Sequence, residues 1–485
     1  NPNATLGYSD GTYFYTPDDW TEELFENNTR QEYNLSVSGA SDKMNYYMSA
    51  GYLNDKGIIP NSDFNRFSTR LKADYQVSDK IKVGANMSYV RTKSDNPRGQ
   101  SGSSSGNLFY LANRIAPIYP LYIRDASGKI MKDSRGYTMY DFGDGRYTQF
   151  TRSFMNQSNP AASIELDKRH YDTDFFSGNW FVELAILPEL VFTTNIGTDI
   201  TQERMGQMLN PYYGQFTDAG GVVSISNQRL ATLNRQFLLT YMYETGRHQV
   251  DFLVGYEAFN MKNNSLYGSK DKIYNVDIMD LDNAILNPTT KSSQLKYSTA
   301  GFLGRAQYNY DNKYFGSISY RRDGSSRFHK DNRWGNFWSI GGGWLMNKES
   351  FLNDVTWIDM LKFKMSYGVQ GNDNLLNYYP YTDQFTLSNQ GGDFGLAFSY
   401  KGNKDITWET SKSFNTGFDY EFFKGRLRGS VEYFSRKTSD LLYYKPMPMS
   451  QGSAEMPMNV GSMTNRGVEL DVNGKPIYEE DQYVS

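Results

Sequence analysis

Long stretches of this chain alternate apolar and polar residues with a period of two. From Ile81 to Tyr89 the apolar set Ile81, Val83, Ala85, Met87 and Tyr89 is interleaved with Lys82, Gly84, Asn86 and Ser88. From Arg66 to Tyr75, Phe67, Thr69, Leu71, Ala73 and Tyr75 alternate with Arg66, Ser68, Arg70, Lys72 and Asp74. The pattern returns at Phe176–Ile186, Phe302–Tyr310, Phe414–Tyr420, Leu427–Tyr433 and Val468–Val472. Successive side chains of a strand point to opposite faces, so each segment reads as a strand with one greasy and one wet face. Many segments run near the roughly 9–11 residues that a tilted strand needs to cross a bilayer, against an average of about 5–6 in soluble sheets.

The connections also alternate. Short turns fall at Ser41–Lys43, Val77–Lys80, Pro188–Glu189, Thr245–Arg247, Asp311–Lys313 and Lys424, with an intermediate one at Asn347–Ile358. Long loops fall at Asn54–Ser62, Ser94–Tyr171, Glu203–Gly221, Met261–Leu295, Asp323–Asn332, Asp373–Ile406 and Thr438–Thr464. We count about 15 strands between Gln31 and Asn473. The expected fold is all-β: a transmembrane antiparallel β-barrel with short periplasmic turns and long extracellular loops. Tyr75, Tyr241, Tyr243, Tyr308, Tyr310, Tyr314, Tyr420 and Phe422 gather beside the short turns, as an interfacial aromatic girdle would. A one-residue slip of the 66–75 strand would turn Arg66, Arg70 and Lys72 toward hydrocarbon at about 2–4 kcal/mol each near the midplane, which pins the register.

Composition closes other routes. No run of apolar residues is long enough for a transmembrane helix. Cysteine is absent and the histidines are only His170, His248 and His329, which gives no basis for a disulfide framework or a histidine-rich metal site. Lys+Arg 50 against Asp+Glu 54 shows no polybasic signature for nucleic acid. No cofactor is expected. An odd strand number fits poorly with single-chain bacterial barrels, which close with an even count, and an open edge in lipid leaves backbone groups unsatisfied. Together with a start at Asn1-Pro2-Asn3, this leads us to expect further strands outside Asn1–Ser485 and a targeting signal outside it.

Particular strings then carry a resemblance. Tyr33-Asn34-Leu35-Ser36-Val37-Ser38-Gly39 runs into Met44–Tyr52 and Lys56-Gly57-Ile58-Ile59. Arg321-Arg322-Asp323-Gly324-Ser325-Ser326-Arg327-Phe328 precedes Trp334-Gly335-Asn336-Phe337-Trp338-Ser339. Leu361–Gly368, Gly371-Asn372, Trp408-Glu409 and Asn465-Arg466-Gly467-Val468-Glu469-Leu470 follow in order. Together, from about Trp20 to about Val472, they resemble the barrel of the SusC/RagA family of TonB-dependent outer-membrane transporters. The resemblance implies a 22-stranded barrel in a Gram-negative, Bacteroidota-type outer membrane, with a plug and a carboxypeptidase-like domain that this sequence lacks. It implies import of oligosaccharides or peptides with no covalent step, energised by TonB and aided by a SusD-like surface lipoprotein lid. A dimer of transporter–lid pairs is a further expectation. Residues 1–30 are read as a loop segment, 31–474 as a partial barrel and 475–485 as the truncated end of the barrel segment.

Candidate residues divide by place. Tyr110, Tyr119 and Tyr122, with Tyr137, Tyr140 and Tyr147, sit in the longest loop; Tyr212, Tyr213, Tyr378, Tyr379 and Tyr381 lie in others. Tyrosine offers a ring for sugar stacking and a polar handle; packing within the loops is the competing use, and we expect only a minority to face ligand. Arg66, Arg70, Arg321, Arg322 and Arg327 are candidates for lumen or plug contact, although Asp323-Gly324 with Ser325-Ser326 equally describes a structured turn. Gly102-Ser103-Ser104-Ser105-Gly106 matches a hydrolase elbow but sits in a Ser/Gly-rich loop rather than between strand and helix. The acidic stretches Asp277–Asp282 and Asp141–Asp144 lack Ca²⁺-loop spacing. The competing reading is a soluble all-β carbohydrate-binding or adhesin-like protein, in which the Val83/Met87/Tyr89 face would be packed in a closed core.

Overall fold

A computed structural model describes residues 7–96, 107–116, 118–145 and 151–475. The candidate elbow Gly102–Gly106 and Tyr147 lie outside the described residues. Fifteen strands form one antiparallel sheet in strict sequence order. They are β1 (Arg30–Ala40), β2 (Met44–Lys56), β3 (Asp63–Ser78), β4 (Ile81–Asp95), β5 (Lys168–Leu187), β6 (Leu190–Leu209), β7 (Val222–Thr245) and β8 (His248–Ile273). Then come β9 (Ala284–Tyr310), β10 (Tyr314–Ser325), β11 (Trp334–Leu345), β12 (Ile358–Asn372), β13 (Glu409–Phe422), β14 (Leu427–Ser439) and β15 (Ser462–Gly474). Every neighbour is an up-and-down hairpin, and β1 and β15 are the two edges of the described sheet.

The register lines the alternating residues into continuous rows. On one face Tyr46, Ala73, Ala85, Trp180 and Ile196 stand side by side across β2 to β6. Ala306, Ile318, Ile340 and Tyr367 do so across β9 to β12, and Phe418, Val431 and Leu470 across β13 to β15. No second layer covers these rows among the described residues: Leu35 is 71% exposed, Val254 and Ile318 each 55%, and Leu470 67%. In water, such a face would forfeit about 25 cal/mol for each Å² left uncovered; lipid tails supply the missing cover. The soluble alternative needs these rows packed against a partner layer, and among the described residues the sheet has none. The opposite face carries Ser49, Arg70, Ser88, Ser177 and Asp199 in one row and Arg305, Ser319, Ser339, Gly368, Ser413 and Arg436 in another. Arg66, Arg70 and Lys72 share that polar parity, as the register requires.

Turn chemistry matches the pattern. At the β9–β10 turn, Asp311 and Asn312 both have positive φ (54° and 49°), which Asn and Asp tolerate better than other side-chain-bearing residues. The girdle residues lie on the apolar face beside these turns, with Tyr241–Tyr243, Tyr310–Tyr314 and Tyr420–Phe422 ring centroids 6.4, 6.2 and 5.1 Å apart. One expectation is corrected in extent. The segment 261–295 is not mainly loop, because β8 and β9 run for 26 and 27 residues and leave only 274–283 between them.

A compact core sits off the sheet, at its long-loop end. Three short helices build it: α1 (Trp20–Leu24), α2 (Leu108–Arg114) and α3 (Pro160–Leu166). Each begins at an acceptor side chain. Asp19 accepts from the Thr21 and Glu22 amides, Asn107 from Tyr110, and Asn159 from Ala162 with Pro160 following. Trp20, Leu24, Ile59, Leu108, Leu111, Leu121, Tyr140, Phe142, Ile164, Leu166 and Tyr213 are buried together. The stretch before the sheet is thus more than a connecting loop, since Trp20 and Leu24 anchor this cap.

Candidate functional site

Two surfaces qualify: the polar wall and the caps over its long-loop end. Along the wall, arginines and lysines meet acids from neighbouring strands. Arg66 Nη2 lies 3.2 Å from Glu32 Oε1, and Arg70 Nε donates to Asn86 Oδ1 at 3.1 Å. Arg321 bridges Glu257 at 2.9 Å and Asp323 at 2.7 Å. Lys364 joins Asp419 and Glu432, each at 2.9 Å. These pairs are partly hydrated and individually weak. Their combined effect is a wall of hydrogen-bonding groups of both signs. Toward the short-turn ends, the wall recedes into a hollow of about 460 Å³ lined by Asp251, Ser317, Gly341, Gly343, Lys362, Lys364, Ser366 and Glu432. Glycine keeps it open, since a Cβ on Gly341 would approach Ser317 Oγ to 3.2 Å and one on Gly343 would approach Lys362 Cε to 3.3 Å.

Arg322 departs from the sequence grouping. It neighbours Arg321 in the same strand and therefore points to the other face, where it pairs across to Phe302 and Asn336 in the outward row. Its guanidinium lies over the Trp334 ring, 5.5 Å from the centroid. It is not on the lumen wall. Arg327 is 8% exposed and sits between the Tyr297 and Tyr378 rings, at 4.8 and 5.1 Å. Its Nη1 donates to the Asp373 carbonyl at 2.8 Å and to Asn374 Oδ1 at 3.0 Å. Asp373 Oδ2 in turn accepts from Tyr297 and Ser325 at 2.8 and 2.5 Å. Beside this clamp Phe328, Leu375 and Ile406 form a second small core, against which Tyr381 and Trp408 pack. Here the Arg321–Phe328 string fastens the loop 373–408 to the sheet.

Most of the nominated tyrosines are engaged within the caps. Tyr119 accepts the Trp20 indole N–H at its carbonyl (2.9 Å). Tyr122 donates to Glu23 Oε2 at 2.8 Å and packs on Tyr140; burial, then the Glu23 carboxylate, push its phenol up. Tyr212 stacks under Arg135 at 3.8 Å. Tyr213 is buried and donates to Asp133 Oδ2 at 2.7 Å. Burial, followed by that carboxylate, raises Tyr213 to about 12. Burial opposes ionisation of Asp133, yet hydrogen bonds from Tyr213, Arg135 and two backbone amides hold it at about 2. Tyr379 accepts the Lys296 amide at its hydroxyl (3.1 Å), Tyr378 faces Arg327, and Tyr110 lies beside Arg114 and Phe154.

The sequence reading missed the residues that hold the main cap together. Arg152 is 3% exposed, its Nη2 donating to the Phe142 and Ser158 carbonyls at 2.7 Å each, and burial lowers its affinity for its proton. Asp18 pairs with Arg124 at 2.5 Å, with both largely buried. Asp18 gives no local signal because Arg124 is 106 positions away, and Arg152 gives none because its partners are backbone carbonyls, which no residue type marks. The wall thus offers hydrogen-bonding groups of both signs, an arrangement suited to binding polar solutes.

Comparison with known proteins agrees with this architecture. A family model described as TonB dependent receptor-like, beta-barrel, matches residues 2–483. The chain is 27% identical over 484 residues to the TonB-dependent receptor SusC of Bacteroides thetaiotaomicron, covering 96% of this chain and 46% of that protein. It is also 27% identical to the TonB-dependent receptor P3 of Formosa agariphila, covering 96% of this chain and 45% of the other. Among solved structures, the RagAB peptide importer in its closed-closed state superposes with a TM-score of 0.82 at 25% identity, covering 98% of this chain and 51% of that one. The chain thus spans about half the length of the relatives it matches.

Proposed function

The chain belongs to the TonB dependent receptor-like β-barrel family, and on that premise we propose that it is the barrel portion of an importer in the outer membrane of a Gram-negative, Bacteroidota-type cell. The cargo is an oligosaccharide or a peptide, taken up with energy from TonB through parts of the protein outside this chain, and a SusD-like surface lipoprotein acts as the lid. Pairing of two transporter–lid units belongs to the same reading.

The observation that carries the proposal is the two-faced sheet. Its apolar rows share one face in β2 to β6, β9 to β12 and β13 to β15 and its polar rows line the other face, as a lipid-embedded wall around a wet passage requires. The ion-paired wall, with Arg66, Arg70 and Arg321 on it, offers sites where a polar solute exchanges hydrogen bonds on its way through. The caps contribute aromatic surface. Tyr110, Tyr119, Tyr122, Tyr212, Tyr378 and Tyr379 remain partly accessible and are the candidates for stacking on ligand, whereas Tyr213 is buried and supports them. Carbohydrate and peptide both fit such a surface, and the name of one relative's complex, a peptide importer, concerns that complex.

The test is uptake. A strain lacking the full-length protein should lose growth on, and accumulation of, one class of labelled oligosaccharide or peptide, and the gene restored in trans should return it. Undiminished uptake across a broad panel of both classes, or recovery of the full-length protein in buffer without detergent, would overturn the proposal.

A further inference from the structure

The outward face carries an oddity at the boundary between the apolar belt and the long loops. One row across β7 to β11 reads Arg235, Ala258, Ala300, Gly324, Trp334. Three small residues in sequence make a shallow floor between an arginine and a tryptophan. Trp334 leans over it, since a Cβ on Gly324 would meet the indole ring at 3.1 Å. Arg322 lies on Trp334 from the row beneath. Arg235 hydrogen-bonds Asn260, whose Nδ2 donates to Ser298 Oγ at 2.8 Å. Among the described residues neither Arg235 nor Arg322 has a carboxylate partner, unlike Arg91 on the same face, which pairs with Asp172 at 3.0 Å. In the row below the floor lie Phe237, Tyr256 and Phe302, with the Tyr256–Phe302 centroids 5.1 Å apart and Phe302 56% exposed.

An outward arginine at the edge of hydrocarbon costs only about 0–1 kcal/mol, and one without an acid is free to meet an anionic lipid headgroup. Two of them stand three strand spacings apart, or ~14 Å, at the floor's two sides, with aromatic rings directly beneath. We propose that this patch binds an outer-leaflet lipid through a phosphate-bearing headgroup. The headgroup lies over Ala258 and Ala300 between Arg235 and Arg322, Asn260 and Ser298 hydrogen-bond its sugar or glycerol hydroxyls, and the acyl chains run down over Phe302 and Tyr256. Guanidinium provides two parallel N–H donors for phosphate. The site rests on the membrane orientation argued above and assigns this patch a role separate from cargo passage.

Native mass spectrometry of the full-length protein in neutral detergent tests it, with three probes: diphosphoryl lipid A, dephosphorylated lipid A and inorganic phosphate. Diphosphoryl lipid A should be retained in preference to the other two. The double variant R235Q/R322Q should weaken retention by roughly 30-fold, from about 1 kcal/mol per lost cation at a lipid surface. A300F, which fills the floor and leaves the charge unchanged, should weaken it too, while R91Q should not. Equal retention of the dephosphorylated lipid, equal binding of free phosphate, or no effect of R235Q/R322Q and A300F would overturn the site. Each variant is first inserted into phosphatidylcholine vesicles; failure of the unmodified protein to insert would instead sink the membrane reading itself.

Discussion

A single arginine can be placed on either side of this wall by moving one residue. Ile318 is 55% exposed on the outward face, flanked by Ala306 and Ile340. It lies four residues from Tyr314 of the girdle, which at ~3.4 Å per residue and a tilt of ~40° puts it ~10 Å above the interface. An apolar band ~25 Å tall places that near the midplane, so I318R should cost about 2–4 kcal/mol, or roughly 30- to 900-fold in the folding equilibrium. Ser317, next in sequence, faces the polar hollow beside Gln307 and Gly341. S317R should cost under about 1 kcal/mol there, because water and nearby acids screen the charge. Asn336 shares Ile318's face but sits nearer the long loops, so N336R should cost about 0–1 kcal/mol. Full-length protein is refolded into phospholipid vesicles across a urea series, and the folded fraction is read from its heat-modifiable gel mobility. Equal costs for I318R and S317R, or a free I318R, would refute the assignment of faces.

Other outcomes follow from the caps. Because Asp133 is held at about 2 against an ordinary 3.8, its contribution is complete above pH ~4 and disappears as pH falls toward 2; pepsin nicking of the 118–145 segment should rise across that window. D133N should start loosened and lose that pH dependence. W20A should remove about 3–5 kcal/mol from the main cap, so limited trypsin cuts at Arg114 and Arg124 while the sheet stays protected and uptake falls. R327M should cost about 1.5–3 kcal/mol by removing charged hydrogen bonds, seen as faster hydrogen exchange over 374–406 with little change in β10.

The wall was readable because lipid enforces alternation. Where a strand has hydrocarbon on one side and water on the other, each position is constrained, and the strand order and number follow from counting such stretches. Above the membrane that constraint lapses. Asn264 pairs with Gln294 and Ser265 with Ser293 across β8 and β9, but with water on both faces they carry no period and read as loop. Arg322 was placed with Arg321 by proximity in sequence, although neighbours in a strand belong to opposite sides. The caps were opaque for another reason. Trp20, Leu111, Ile164 and Tyr213 come together only in three dimensions, and helices of seven residues or fewer give little periodic signal. Their tyrosines therefore read as a pool of ligand-facing rings, when much of that aromatic surface holds the cap to itself.

The overshoot of β8 and β9 has a geometric consequence. About 10 residues suffice to cross the bilayer, so much of a 26- or 27-residue strand stands beyond it, and β7 accompanies the ladder as far as Val222 opposite Asp271. The rim of the vessel is consequently uneven, with a tall parapet on one flank. On that flank, hydrogen-bonded ribbon stands well above the level of the headgroups.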